Sequence, residues 1–368
     1  MSVGRITRSR LKKTSDGVKK SRKIHQVESE SAASLDVPVT PPRKRARAMP
    51  SKQPPRTPTP IQVKAMATSY STGDIDDAGP PPLPADRPAE PHRTNAPLKT
   101  PGGSRLVTYP AEEIDSSPSK TGIPRATTTT GQLLEEACAH LIKVEPKLKL
   151  LIEKHPCGVF SPEGLAEEID PFRSLTTGIM SQQVSGAATK SIKNKFVGLF
   201  TEAQGAGDNP VGKPAPFPTP AQVAPCDVSF LRKAGLSERK AEYIKGLAEK
   251  FVSGELSAKM LIMASDDEVM QKLTAVRGLG KWSVEMFACF CLKRMDVFST
   301  GDLGVQRGMA ALIGKDVKKL KAKGGGKWKY MSEQDMLEHS AKFAPYRSLF
   351  MWYMWRIEDV DLSAIQDN

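Results

Sequence analysis

From Gly131 onward, apolar positions recur at three- and four-residue spacing. Leu133, Leu134, Ala137, Leu141 and Val144 form one series, and Leu175, Ile179, Val184, Ala188, Ile192 and Phe196 form another. That period is the signature of helices with one buried face, and the strict alternation of a half-buried strand is almost absent. A Pro/Gly-rich loop over about 203–225 leads into helices marked by Leu231, Ile244, Leu247 and Phe251. Further helices are predicted over about 266–273, 302–313 and 346–357, and no internal repeat of fixed period is present. Between the last two, "KDVKKLKAKGGGKWK" (315–329) reads as a flexible basic insertion. The pattern predicts an all-α domain.

Composition changes the picture at the amino end. Residues 1–130 hold 19 of the 30 prolines, few aromatics, and 22 Lys+Arg against 12 Asp+Glu. Such a stretch buries too little apolar surface to offset its ordering entropy, so it is predicted to be a disordered basic tail. The fold is therefore expected over 131–362. The tail carries about +10 of the formal net charge of +13. Its clusters Lys12-Lys13, Lys19-Lys20-Ser21-Arg22-Lys23 and Arg43-Lys44-Arg45-Ala46-Arg47 look like nuclear import signals, which points to the nucleus. The same charges would also hold DNA loosely through its phosphates. A mitochondrial presequence over 1–13 is the weaker reading, because no amphipathic apolar face is evident there. The longest apolar run, Leu349 to Trp355, is far shorter than the roughly 18 residues of a membrane helix, so no membrane partner is expected. Five cysteines without a Cys-x-x-Cys pair argue against a disulfide framework, zinc or an iron-sulfur cluster.

"AVRGLGKWSVEMF" (275–287) predicts a helical hairpin. One helix ends near Val276, the turn is Arg277-Gly278-Leu279-Gly280, and a second helix starts at Lys281. Glycine there serves a positive φ or a close backbone approach. The free N–H groups and dipole of the second helix, with Lys281 and Ser283 beside them, make a seat for a phosphate oxygen. Leu279 is the apolar peg, and Val284, Phe287, Ala288 and Cys291 form the buried stripe. By itself Gly-x-Gly also suits a plain helical turn.

The hairpin keeps informative company. The segment "LTAVRGLGKWSVEMFACFCLKRMDVFSTGDLGVQRG" (273–308), with "DPFRSLTTGIMSQQVSGAATKSI" (170–192), "AGLSERKAEYIKGLAEKF" (234–251) and "FAPYRSLFMWYMWR" (343–356) in order around it, resembles the helix-hairpin-helix DNA glycosylase superfamily. More narrowly it is similar to the 3-methyladenine DNA glycosylase II family of fungal type. The resemblance spans roughly 131–360 and implies two helical lobes with an active-site cleft between them. It implies a monomer acting on double-stranded DNA with a flipped damaged base, handing the abasic product to downstream processing enzymes. It implies no organic cofactor, and a monovalent cation held by hairpin carbonyls.

Within that resemblance Asp302 is the catalytic residue, stabilising the oxocarbenium-like sugar and orienting or deprotonating water. Its local setting also suits a plain helix-start residue, with Ser299 or Thr300 as the cap and Asp302 in the first turn, where the dipole favours a carboxylate. Family members often carry a second acid just before it, where this chain has Gly301. Asp296 is the poorer candidate, at the preceding helix end. The Schiff-base lysine of strand-cutting relatives would stand at the position of Trp282, and Lys281, one residue earlier, is turned by about 100°. A monofunctional enzyme follows. Gln182 and Gln183 in "SQQVS" are the DNA wedge residues, with Gln183 better placed, although exposed or capping glutamines are the plain alternative. Trp282 is the first base-pocket wall, with Tyr346, Trp352 and Trp355 behind it, a cation–π environment for a charged alkylpurine. Arg347 faces either a carboxylate or a phosphate. The alternatives are a same-fold glycosylase for mismatched or oxidised bases, or a non-catalytic DNA-binding module.

Overall fold

The computed structural model describes residues 86–109, 124–203, 215–322, 326 and 328–357. The first 85 residues, with the import-like clusters, lie outside them. Four two-residue strands make two small antiparallel pairs: β1 (Pro88–Ala89) with β4 (Thr128–Thr129), and β2 (Leu98–Lys99) with β3 (Arg105–Leu106). Everything else that is regular among the described residues is helical. The helices are α1 (Leu133–Val144), α2 (Leu148–Lys154), α3 (Pro162–Ala166), α4 (Pro171–Ser181), α5 (Gly186–Ala203), α6 (Pro220–Val223), α7 (Val228–Arg232) and α8 (Glu238–Val252). There follow α9 (Ala258–Met263), α10 (Asp266–Thr274), α11 (Lys281–Phe290), α12 (Leu303–Leu312), α13 (Val317–Ala322), α14 (Glu333–Ala341) and α15 (Arg347–Met354).

Local chemistry starts many of these helices. Asp170, Ser237, Ser257 and Ser332 accept from a backbone N–H of the first turn, and Ser265 with Glu268 closes a reciprocal capping box ahead of α10. The helices then share one apolar core. α4, α6, α7 and α8 pack together, α12 lies on α15, and α4 also meets α11. The α12–α15 approach is close because Gly308 faces the Met354 backbone and Gly304 faces the Trp355 ring, where a Cβ would collide.

Several expectations need correction. The fold begins before residue 131: Ala89, Ala96 and Leu98 are fully buried, and Asn95 Nδ2 donates to Lys293 O while Met295 N–H donates to Pro91 O at 2.8 Å. Hydrogen bonds to the 292–295 loop help hold this segment, and pairings across that sequence distance leave no mark in composition. Val184 is 38% exposed and sits in the break between α4 and α5, outside the core stripe assigned to it. The basic insertion contains a helix, α13, and α14 follows it unannounced. α11 is buried on all sides from Val284 onward instead of along one stripe.

Candidate active site

Asp302 is itself the N-cap of α12, so neither Ser299 nor Thr300 has that role. Its Oδ1 accepts from Val305 N–H at 2.9 Å, which satisfies one orphan donor of the first turn. The same Oδ1 accepts from Trp355 Nε1 at 2.9 Å, and Oδ2 accepts from Trp282 Nε1 at 2.8 Å. The residue is 3% exposed, yet every one of these donors is neutral. Among the described residues no cationic side chain pairs with it. Among the described residues Oδ2 accepts from one donor and keeps a lone pair, whereas Oδ1 accepts from two.

The flanking loop is braced on both sides. Ser299 Oγ donates to the buried Glu285 of α11 at 2.5 Å, and Thr300 Oγ1 donates to Glu333 of α14 at 2.8 Å. Gln306 Nε2 donates to Thr300 O at 3.1 Å from the second turn of α12. Asp302 is thus aimed by elements that lie far apart in sequence. Asp296 lies in the loop after α11 instead of at its end. Arg347 grips it through Nε and Nη2, both at 2.7 Å, which settles the open choice for that arginine on the carboxylate.

The aromatic candidates separate. Trp282 and Trp355 both meet Asp302, Trp355 being buried and stacked on Phe290 with centroids 5.6 Å apart. Trp352 is corrected: it is buried, and the Arg356 guanidinium covers its ring at 3.1 Å, so its face cannot take a base. Tyr346 stands at the other end of α15, half-buried and edge-on to His140. Nine residues of helix separate it from Trp355, about 13 Å of rise.

The hairpin matches its expected form with one refinement. α10 ends at Thr274, Leu279 is buried as the peg, and Gly280 is the N-cap of α11. Gly278 has φ +94° and lies over the Tyr243 ring, so both backbone and space demand glycine there. Gly280 has ordinary φ, and a Cβ on it would meet nothing within 4 Å. Its value is the open approach it leaves to the backbone. Arg277 is exposed 5.9 Å from the Tyr243 ring, Ser283 is half-buried in the first turn of α11, and Lys281 is exposed with Nζ 3.9 Å from Glu285.

Gln182 and Gln183 divide their labour. Gln182 ends α4, and its Nε2 donates to Gly278 O at 2.8 Å, so it ties the turn to the hairpin and is not itself free to enter a duplex. Gln183 is exposed at φ +60°, the left-handed region that non-glycine residues seldom occupy. Sequence reasoning missed Tyr243, Glu285 and Lys240. Only "ERKAEY", a highly charged helix start, hinted at the last.

Residues 177–324 match the HhH-GPD family model, described as a superfamily of base excision DNA repair proteins. The chain is 32% identical over 277 residues to the DNA-3-methyladenine glycosylase of Saccharomyces cerevisiae, covering 69% of this chain and 90% of that protein. It is 29% identical over 224 residues to DNA-3-methyladenine glycosylase 1 of Schizosaccharomyces pombe, covering 61% and 87%. Among solved structures, the Schizosaccharomyces pombe 3-methyladenine DNA glycosylase in complex with abasic DNA aligns with a TM-score of 0.45 at 25% identity, over 61% of this chain and 97% of that one.

Proposed function

The chain belongs to the HhH-GPD superfamily of base excision DNA repair proteins, and from that premise we propose that it is a monofunctional glycosylase hydrolysing the N-glycosidic bond of alkylated purines, 3-methyladenine among them, and leaving an abasic site. The observation that carries the chemistry is the carboxylate of Asp302, buried and held only by neutral donors. Among the described residues no side-chain cation compensates its charge, which is thus available to a positive transition state.

As the glycosidic bond breaks, the base leaves with the bonding electrons and the sugar becomes oxocarbenium-like. Asp302 stabilises that charge in a low-dielectric site, and the open lone pair of Oδ2 orients the attacking water and takes its proton. Trp282 offers a ring face to the cationic purine. Lys281 is turned toward solvent and Glu285, so its amine is not offered to the sugar for a Schiff base. The exposed N–H groups at Lys281 to Ser283 grip a phosphate, and Gln183 fills the space of the extruded nucleotide. A monovalent cation would sit on the carbonyls of the turn, where Gly278 O accepts from Gln182 and keeps its second lone pair. Nuclear import through the amino-terminal clusters, action as a monomer, and transfer of the product to abasic-site enzymes complete the proposal.

The experiment is a substrate panel. Wild type is expected to release methylated purines from methylated duplex DNA in preference to 8-oxoguanine or uracil, and the reverse preference would refute the assigned substrate. Borohydride trapping on abasic DNA is expected to yield no covalent adduct.

A further inference from the structure

One face of α8 seats both the turn after α4 and the turn of the hairpin. Lys240 Nζ donates to Met180 O at 2.8 Å and to Gln182 O at 2.7 Å, the free carbonyls where α4 ends. These are orphan acceptors at the negative end of a helix dipole, and an ammonium suits them. One residue later the chain swings to positive φ at Gln183. The side chain of Gln182 then reaches Gly278 O at 2.8 Å. Three positions along α8 from Lys240, Tyr243 packs under Gly278 and Arg277. Lys240, Gln182 and Gly278 therefore form one polar chain, and Tyr243 closes it from the same helix. Lys240 is half-buried, and burial lowers its pKa from the usual lysine value.

We infer that Lys240 is a positioning residue for nucleotide extrusion, setting the height of the Gln183 wedge against the phosphate-gripping hairpin. The inference rests on the glycosylase reading above. Lys240 touches neither the base nor Asp302; it acts through the carbonyls of Met180 and Gln182. Without its two donors those carbonyls lose their partners, and the left-handed turn at Gln183 loses the anchor that opposes its strain. The cost then falls on opening the duplex and spares bond cleavage in a nucleotide that is already out.

The test compares one lesion in two duplexes, fully paired and opposite an abasic gap, where no partner base has to be displaced. Lys240→Met is expected to lose roughly tenfold in single-turnover base release from the paired duplex and to stay within about twofold of wild type on the gapped one. Lys240→Arg, which keeps donors and charge, is expected to recover most of the loss. In an Asp302→Asn background, the fluorescence of a 2-aminopurine beside the lesion reads extrusion without cleavage, and Lys240→Met should lower it. An equal loss on both duplexes, or an unchanged rate on the paired one, overturns the inference. Should Lys240→Met fail to fold, Lys240→Gln carries the same comparison. Wild type silent on both duplexes would instead sink the glycosylase reading, and the fluorescence arm would still report on Lys240.

Discussion

Two buried aspartates lie six residues apart, and they are held in opposite ways. Asp296 gives its charge to Arg347 in a bidentate pair and has His92 Nδ1 3.8 Å away. Asp302 is as deeply buried, but it is held by two indoles and one backbone amide. Burial alone does not mark a catalytic carboxylate. A carboxylate paired with arginine is neutral to its surroundings, so it joins segments. One held by neutral dipoles keeps its negative field and is stabilised only by oriented donors, the arrangement that suits a cationic transition state.

The comparison breaks if the two residues behave alike. Asp302→Asn is expected to lower single-turnover base release by roughly 10²–10³-fold while keeping DNA affinity, because it removes a preorganised electrostatic group. Asparagine still caps a helix, so the unfolding free energy should stay within about 1 kcal/mol of wild type. Asp296→Ala should show the reverse: near-normal release but a loss of about 2 kcal/mol in urea titration. That figure is below the 3–5 kcal/mol of a fully buried pair because the Arg347 side chain is 29% exposed.

The clamp sharpens the contrast. Trp282→Phe and Trp355→Phe each delete one N–H to Asp302 and keep an aromatic ring. Each should slow release by about tenfold, a hydrogen bond to a charged group contributing about 1.5 kcal/mol or more. The larger loss of stability is expected for Trp355→Phe, since that indole is buried against Phe290. Equal rates in both variants and wild type would show that the indoles only pack.

The two glycines of the hairpin extend the same logic from charge to shape. Gly278→Ala is expected to destabilise by about 1–2 kcal/mol from the positive φ alone, with Tyr243 displaced besides. Gly280→Ala should change stability by less than about 0.5 kcal/mol and weaken DNA binding, as a methyl group enters the open backbone approach. Electrophoretic mobility shift beside thermal melting separates the two.

The smallest effect belongs to His92. Its pKa is raised, chiefly by the hydrogen bond to Asp266, with Asp296 and Glu90 adding charge attraction against a lowering by burial. A raised folded pKa means the stability it supplies is complete below the unfolded value near 6.5 and is lost as pH rises through the folded value. Since the side chain is 51% exposed, only a shallow decline in melting temperature over that window is expected, and His92→Gln should flatten it.

Local rules made much of this legible. Helical periodicity located α1, α4, α5, α8, α10, α11, α12 and α15 to within a few residues, because each must turn an apolar face inward whatever its neighbours are. The short helices α2, α3, α6, α9 and α13 escaped, being too brief for a period to register, and α14 escaped because it buries only Met336 and Ser340 and so shows no apolar stripe. Gly278 and Leu279 were readable because a turn imposes its own backbone and peg. Trp282 was readable as the residue standing where a lysine would change the chemistry.

By itself, then, the sequence determined the helical class, the hairpin and the likeness to DNA glycosylases, and it put Asp302 forward as the candidate acid. The tertiary structure alone decided what holds Asp302 and what ties the turn after α4 to the hairpin. Trp355 reaches Asp302 across 53 positions, and Gln182 reaches Gly278 across 96. Residues 86–109 join the body through hydrogen bonds to a loop some 200 positions away. Periodicity and caps report interactions within one or two turns of chain. Those longer pairings exist only after the apolar faces have packed and brought the donors within reach.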